Sequence, residues 1–223
     1  MNEADRKDEG WRQIEAGLAL IRWSKLVQWD DDHLAFIAAS REAFESQEGH
    51  QVAHPTFGRL ICWIVFSAGA EYLAKGVCFL KGEDFTKAIS VIRIPSLGED
   101  LETWVREVFA HARSVKEKTV SFETLSKIPL RSALQDVPER AFVVAAFELL
   151  RSTIRNRDAH RYTQNVRAFH FYLIEILFVP AFNILLRNVD QNELRVRVVA
   201  TGRSSDSPPN TPLQPTSGAG SGN

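Results

Sequence analysis

An apolar pattern running without interruption over residues 56–81 constrains this chain more than any other feature. Leu60, Ile61, Ile64, Ala68, Leu73, Val77 and Leu80 recur at the three- and four-residue intervals of a helix, and Gly82 supplies a C-terminal stop. A helix that long, with so broad an apolar face, has to be covered on several sides. Two later segments carry the same signature. Asp136 and Pro138 open one over 138–156, with Pro138 expected in the first turn, where its missing N–H costs nothing. Val143, Ala146, Phe147, Leu150 and Ile154 then make it apolar on most sides. The other covers 163–187.

Residues 168–186 are apolar enough to raise the question of a membrane span. His170, Glu175 and Asn183 are spread through them, and Pro180 should kink the helix. An ionisable group at mid-bilayer costs about 2.5–3.5 kcal/mol on insertion scales. With no second segment of the same kind expected, this helix reads as a core or dimer-interface helix, not as a membrane anchor.

The rest of the chain reads as connections and flanking helices. Residues 11–28 and 31–46 are expected to be amphipathic helices, the second capped by Asp30-Asp31-Asp32. Residues 83–98 read as a loop with room for a short helix, 99–117 as an exposed helix, and 119–135, which contain Pro129, as irregular. Leu194 to Ala200 alternates like a strand, and residues 201–223 have the Ser, Pro and Gly content of a disordered tail. The fold expected is therefore all-α: an antiparallel helical bundle of four to six helices over residues 1–190. Residues 56–81, 138–156 and 163–187 form its centre, and an extended or disordered tail follows over 191–223.

Lys plus Arg number 27 and Asp plus Glu 28, a formal net charge of -1, so no global field draws the chain to nucleic acid or to a membrane. An anion site has to be local. Cys62 and Cys78 lie sixteen residues apart in one helix, roughly 24 Å at 1.5 Å per residue, too far for a disulfide. The first ten residues are polar, with no apolar signal region. Both observations point to a reducing cytoplasm.

The local charge is found in residues 151–167, RSTIRNRDAHRYTQNVR, where five arginines stand against one aspartate. The segment begins where one apolar helix ends and stops where the next begins. Cations are favoured near helix C-termini, so a solvated basic helix end explains part of it. The order of residues goes further. Arg155 is followed by polar Asn156, and His160 comes five positions after the arginine, in Arg155-Asn156-Arg157-Asp158-Ala159-His160.

This Arg-polar-x3-His order, late in the chain between two apolar helices, resembles the motif of the HEPN domain family, within its broader Arg-x4-6-His pattern. The likeness extends to Glu71-Tyr72-Leu73-Ala74-Lys75 in the long helix and, more weakly, to Thr124-Leu125-Ser126-Lys127-Ile128 ahead of the motif helix. It spans residues 10–188. The resemblance implies a HEPN-type bundle and a metal-independent endoribonuclease with no cofactor, in which the ribose 2′-OH attacks the adjacent phosphate. A toxin or defence role, an antitoxin protein as partner, and a homodimer with two motifs facing one cleft also come with the family.

The residue types suit that chemistry. Histidine, with an unperturbed pKa of about 6.5, exchanges a proton near neutral pH. Arginine holds a phosphate with fixed, bidentate donors and stabilises the charge that builds on it. His160 is therefore assigned to proton transfer, Arg155 to phosphate binding and Asn156 to orientation. Arg151, Arg157, Arg161 and Tyr162 are assigned to RNA binding, with Asp158, Glu71 and Lys75 as supporting residues. On an unbroken helix, positions five apart are separated by about 140°. Arg155 and His160 thus need either a bend at the junction or a second subunit. Glu71 and Lys75 read equally as an ordinary i,i+4 surface pair, His170 as a core histidine, His111 as a solvated one, and Trp63 and Trp104 as core. Two further readings stay open: a non-catalytic HEPN domain that binds RNA, a nucleotide or a protein partner, and a structural helical module whose arginines make intersubunit salt bridges.

Overall fold

The computed structural model describes residues 2–30, 32, 34–48, 55–83, 100–114, 122–152 and 168–203. These residues are mostly helical, with one two-stranded sheet. The long helix spans Pro55–Leu80 (α3). Its main partner is the first helix, α1, over Glu3–Trp23. Asn2 caps α1 by accepting from the Asp5 N–H at 2.8 Å. The helix ends where the Ser24 hydroxyl donates to the Ile21 carbonyl at 2.6 Å and Lys25 turns to φ 61°. It therefore starts earlier and stops sooner than the expected 11–28.

Four glycines set how closely α1 and α3 approach. Gly10 and Gly17 lie seven residues apart on α1, and Gly69 and Gly76 seven apart on α3. A Cβ on Gly17 would meet the Gly69 carbonyl oxygen at 2.8 Å, and one on Gly76 would meet the Gly10 carbonyl oxygen at 2.6 Å. Early α1 thus faces late α3, so the two run antiparallel with their backbones in contact. Ile14, Ile21, Leu73 and Val77 are fully buried along the seam.

Residues 31–46 are not one helix. Val27–Asp30 (β1) and Ala35–Ala38 (β2) form an antiparallel hairpin, with Trp29 opposite Phe36 and their rings edge-on at 5.0 Å. Arg41–Glu48 (α2) follows. Asp30 serves the turn instead of capping a helix: its Oδ1 accepts from the Asp32 N–H at 3.2 Å. Tertiary contact decides the outcome. Asn183, from the last core helix, accepts from the Phe36 N–H at 2.7 Å and donates to its carbonyl oxygen at 3.5 Å. One side chain thereby satisfies backbone groups that the two-stranded sheet leaves open.

Leu101–Ser114 (α4) is the exposed helix expected there, capped by Asp100. Of the stretch 119–135, the described residues 122–135 are more regular than expected, forming Phe122–Lys127 (α5) and Pro129–Ala133 (α6). Pro129 starts α6 and breaks nothing, and Phe122, Leu125, Leu130 and Leu134 are buried. The helix expected from Pro138 begins at Arg140 (α7, Arg140–Leu149), with Pro138 in the turn before it. Residues 150–152 widen into a π turn.

The last apolar segment comprises Ala168–Leu173 (α8), a π-helical turn Ile174–Phe178, and Val179–Arg187 (α9). The irregularity directly precedes Pro180, which lacks the N–H to continue the ladder. Phe182 lies at the centre of the core, with ring centroids 5.5 Å from Phe36 and Phe66 and 5.9 Å from Phe147. The expectation of a single span-like segment is corrected. Ile61–Leu80 and His170–Arg187 are both long and apolar enough to cross a membrane, and at least half of each is buried inside the fold. The elements packed around them account for the buried share of that apolarity.

The strand-like reading of Leu194 to Ala200 is overturned, because Gln191–Arg203 is a helix (α10). Asp190 caps it, accepting from the Asn192 and Glu193 N–H groups at 2.9 and 3.2 Å. Leu194 and Val198, four apart, face the core, whereas Val196 and Val199 are exposed. The alternation of Arg and Val is incidental to a helical face. The folded part thus continues past residue 190, and residues 204–223 lie outside the described residues.

Candidate functional site

Arg155, Asn156, Arg157, Asp158, His160, Arg161 and Tyr162 all lie outside the described residues, as does the side chain of His111. The helices on either side of the motif are described, and both are packed into the aromatic core. On the N-terminal side, Phe147 of α7 meets Phe122 of α5 at 6.1 Å and Phe182 of α9 at 5.9 Å. On the C-terminal side, Phe171 of α8 lies 5.3 Å from Phe44 and 6.3 Å from Trp63, and the His170 ring is 5.4 Å from Trp63. The motif segment therefore starts and ends on anchored elements.

Arg151, the first arginine of the cluster, sits in the π turn that ends α7. It is half-buried, and its Nε–H is sealed from solvent with no hydrogen-bond partner among the described residues. Its charge also reaches α5. Glu123 is held below the usual carboxylate range, first by a hydrogen bond from Lys127, then by the charges of Lys127 and Arg151. Within the Thr124 to Ile128 stretch, Leu125 and Ser126 point into the core while Lys127 and Ile128 face solvent.

Glu71 and Lys75 form an ion pair at 2.8 Å, but not the surface pair that sequence spacing allows. Their side chains retain only 10% and 19% exposure, and the Lys75 ammonium lies 5.8 Å from the centre of the Tyr72 ring. Two charges placed this deep are costly unless each is compensated, and each partner compensates the other. The pair continues a polar ridge along α3 that sequence reasoning missed. Trp63, Ser67, Glu71 and Lys75 follow at four-residue intervals, with Trp63, Ser67 and Glu71 buried. The Ser67 hydroxyl and the Trp63 indole N–H have no hydrogen-bond partner among the described residues. The signal for this ridge was available, as polar residues at i, i+4 and i+8 in a helix otherwise apolar on nearly every side. Trp63 is buried in the core as expected, and His170, half-buried, packs its ring against it. Trp104 is half-buried on α4. Among the described residues, no cluster of three His, Cys, Asp or Glu is arranged to hold a metal.

No family model matches the chain, and comparison with curated proteins and with solved structures returns no significant match.

Proposed function

We propose that this protein is a HEPN-type, metal-independent endoribonuclease that cleaves RNA through 2′-OH attack on the adjacent phosphate, acting in the cytoplasm as a toxin or defence factor. The observation carrying the proposal is the order Arg155-Asn156-x3-His160 in a segment of formal charge +4, joining two helices that are both anchored in one aromatic core. In this reading Arg155 grips the phosphate that accumulates charge, His160 moves the proton, and Asn156 orients one of them. Arg151, Arg157, Arg161 and Tyr162 track the RNA backbone and its bases. Asp158 and the largely enclosed Glu71–Lys75 pair support the site. RNA is the substrate, and a protein antitoxin is the partner such a toxin needs.

In this reading two motifs face one cleft, as the HEPN resemblance implies, and the active species is a homodimer. Tyr172 and Ile176, four apart and exposed on the last core helix, supply apolar surface for it. A monomeric mass by light scattering at tens of micromolar would overturn the dimer. The decisive experiment is incubation of the purified chain with mixed RNA in excess EDTA. Products ending in 2′,3′-cyclic phosphate and 5′-OH are expected. Intact RNA, or cleavage that requires added metal, would refute the nuclease reading.

A further inference from the structure

A cavity of about 340 Å³ lies between α1, β1 and α10, within the size range of small-ligand sites. Three of the chain's five tryptophans line it, Trp11, Trp23 and Trp29, together with the charged side chains of Glu15, Arg22, Lys25 and Arg197. Trp23 remains 62% exposed at the rim, an unusual position for so large an apolar ring. Aromatic walls of this kind bind flat rings by stacking, and the charges decide which flat ring.

A cationic ligand is disfavoured because three basic side chains line the wall against one acid, and one aromatic face already carries a cation. The Arg197 guanidinium lies 5.1 Å from the Trp11 ring centre, occupying the face where a ligand cation would sit. It also donates to the Glu15 carboxylate, the one acid among the described residues of the wall. What remains is Lys25, exposed and without an ion pair among the described residues, beside Arg22. Lys25 reaches this position through a backbone at φ 61°, the left-handed region in which a lysine is uncommon. Asparagine or glycine would hold that turn at lower cost. The strain is tolerated where the side chain lines a cavity.

We infer that this cavity binds a small, flat aromatic anion, its ring between the tryptophans and its carboxylate or similar group on Lys25. The inference is independent of the nuclease reading. Three probes with the same ring test it by calorimetry on the full chain: 2-naphthoate, neutral 2-naphthylmethanol and cationic 2-naphthylmethylammonium. Naphthoate is expected to bind roughly ten-fold or more tightly than the alcohol, as a charge-assisted hydrogen bond allows, with the ammonium weakest. Lys25→Gly should bring naphthoate down to the affinity of the alcohol. Because glycine relieves the positive φ, that variant should melt no lower than wild type, so loss of selectivity cannot be ascribed to unfolding. Trp23→Ala, at an exposed ring, should weaken acid and alcohol alike. The inference is overturned if the alcohol or the ammonium binds as tightly as the acid, if Lys25→Gly leaves the selectivity intact, or if naphthoate at millimolar concentration does not bind.

Discussion

Gly76→Ala should destabilise this protein even though alanine is the better helix former. In an exposed helix the substitution would gain roughly 1 kcal/mol. Here the new methyl carbon would lie 2.6 Å from the Gly10 carbonyl oxygen, 2.6 Å from Ile14 Cγ1 and 2.8 Å from the Ile14 nitrogen. Ordinary contact is about 3.5–4.0 Å, so α1 and α3 would have to part by about 1 Å. Two of the three obstructing atoms are backbone, which cannot turn aside. Parting the helices loosens Ile14, Leu73 and Val77, all fully buried. Overpacking of this kind costs about 3 kcal/mol at the upper end of its usual range. Subtracting the propensity gain leaves a net loss of about 2 kcal/mol, or roughly 4–8 °C in Tm for a chain of this size. Gly10→Ala is the control. Its Cβ would first meet Leu80 Cδ2 at 2.9 Å, the end of a partly buried and flexible side chain, while the nearest backbone atom, the Gly76 carbonyl oxygen, lies at 3.1 Å and not 2.6 Å. Its effect should stay within about 1 kcal/mol of zero, the two terms nearly cancelling. Gly17→Ala and Gly69→Ala obstruct one shared crossing, so the double variant should lose less than the two single losses added together. Urea unfolding followed by far-UV circular dichroism measures all of these. A Gly76→Ala midpoint equal to or above wild type would refute the close-packed seam.

The motif predictions separate two roles. His160→Ala should reduce RNA cleavage by about 10²–10⁴ and leave RNA affinity nearly unchanged. Arg155→Ala should reduce cleavage by about 10²–10³ and also weaken binding and flatten its salt dependence. Wild-type cleavage rates in both variants would make the motif structural. Asn183→Ala strands the Phe36 N–H against the core and should cost about 1–3 kcal/mol in urea unfolding; an unchanged midpoint would mean water replaces the side chain. Burial, with a smaller contribution from Glu83, pushes the Cys78 thiol well above its usual pKa. In the native protein iodoacetamide should therefore label half-buried Cys62 and spare Cys78, as read by peptide mass spectrometry.

Periodicity by itself determined the helical class and the long core helices, because a wide apolar face at 3.6-residue spacing leaves one way to bury it. Pro55–Leu80 emerges almost residue for residue from that pattern, and the HEPN-like order of Arg155, Asn156 and His160 is likewise a property of the sequence alone. Tertiary structure decided the rest. The alternating Leu194 to Ala200 became helix because Leu194 and Val198 could be buried together while Arg197 reached Glu15 on α1. The stretch expected as one helix over 31–46 opened into a hairpin because Asn183, far along the chain, satisfied the backbone of Phe36. Glu71 and Lys75 carried the spacing of a surface pair, and the fold around α3 buried Glu71 and half-buried Lys75. The four glycines look in sequence like weak points in two helices, and they acquire a purpose only where two backbones meet. The physical reason is common to all four cases. Local pattern reports which faces of an element are apolar, whereas the partner that covers a face comes from a distant part of the chain, and its contacts can outweigh the fraction of a kcal/mol by which local propensity separates helix from strand.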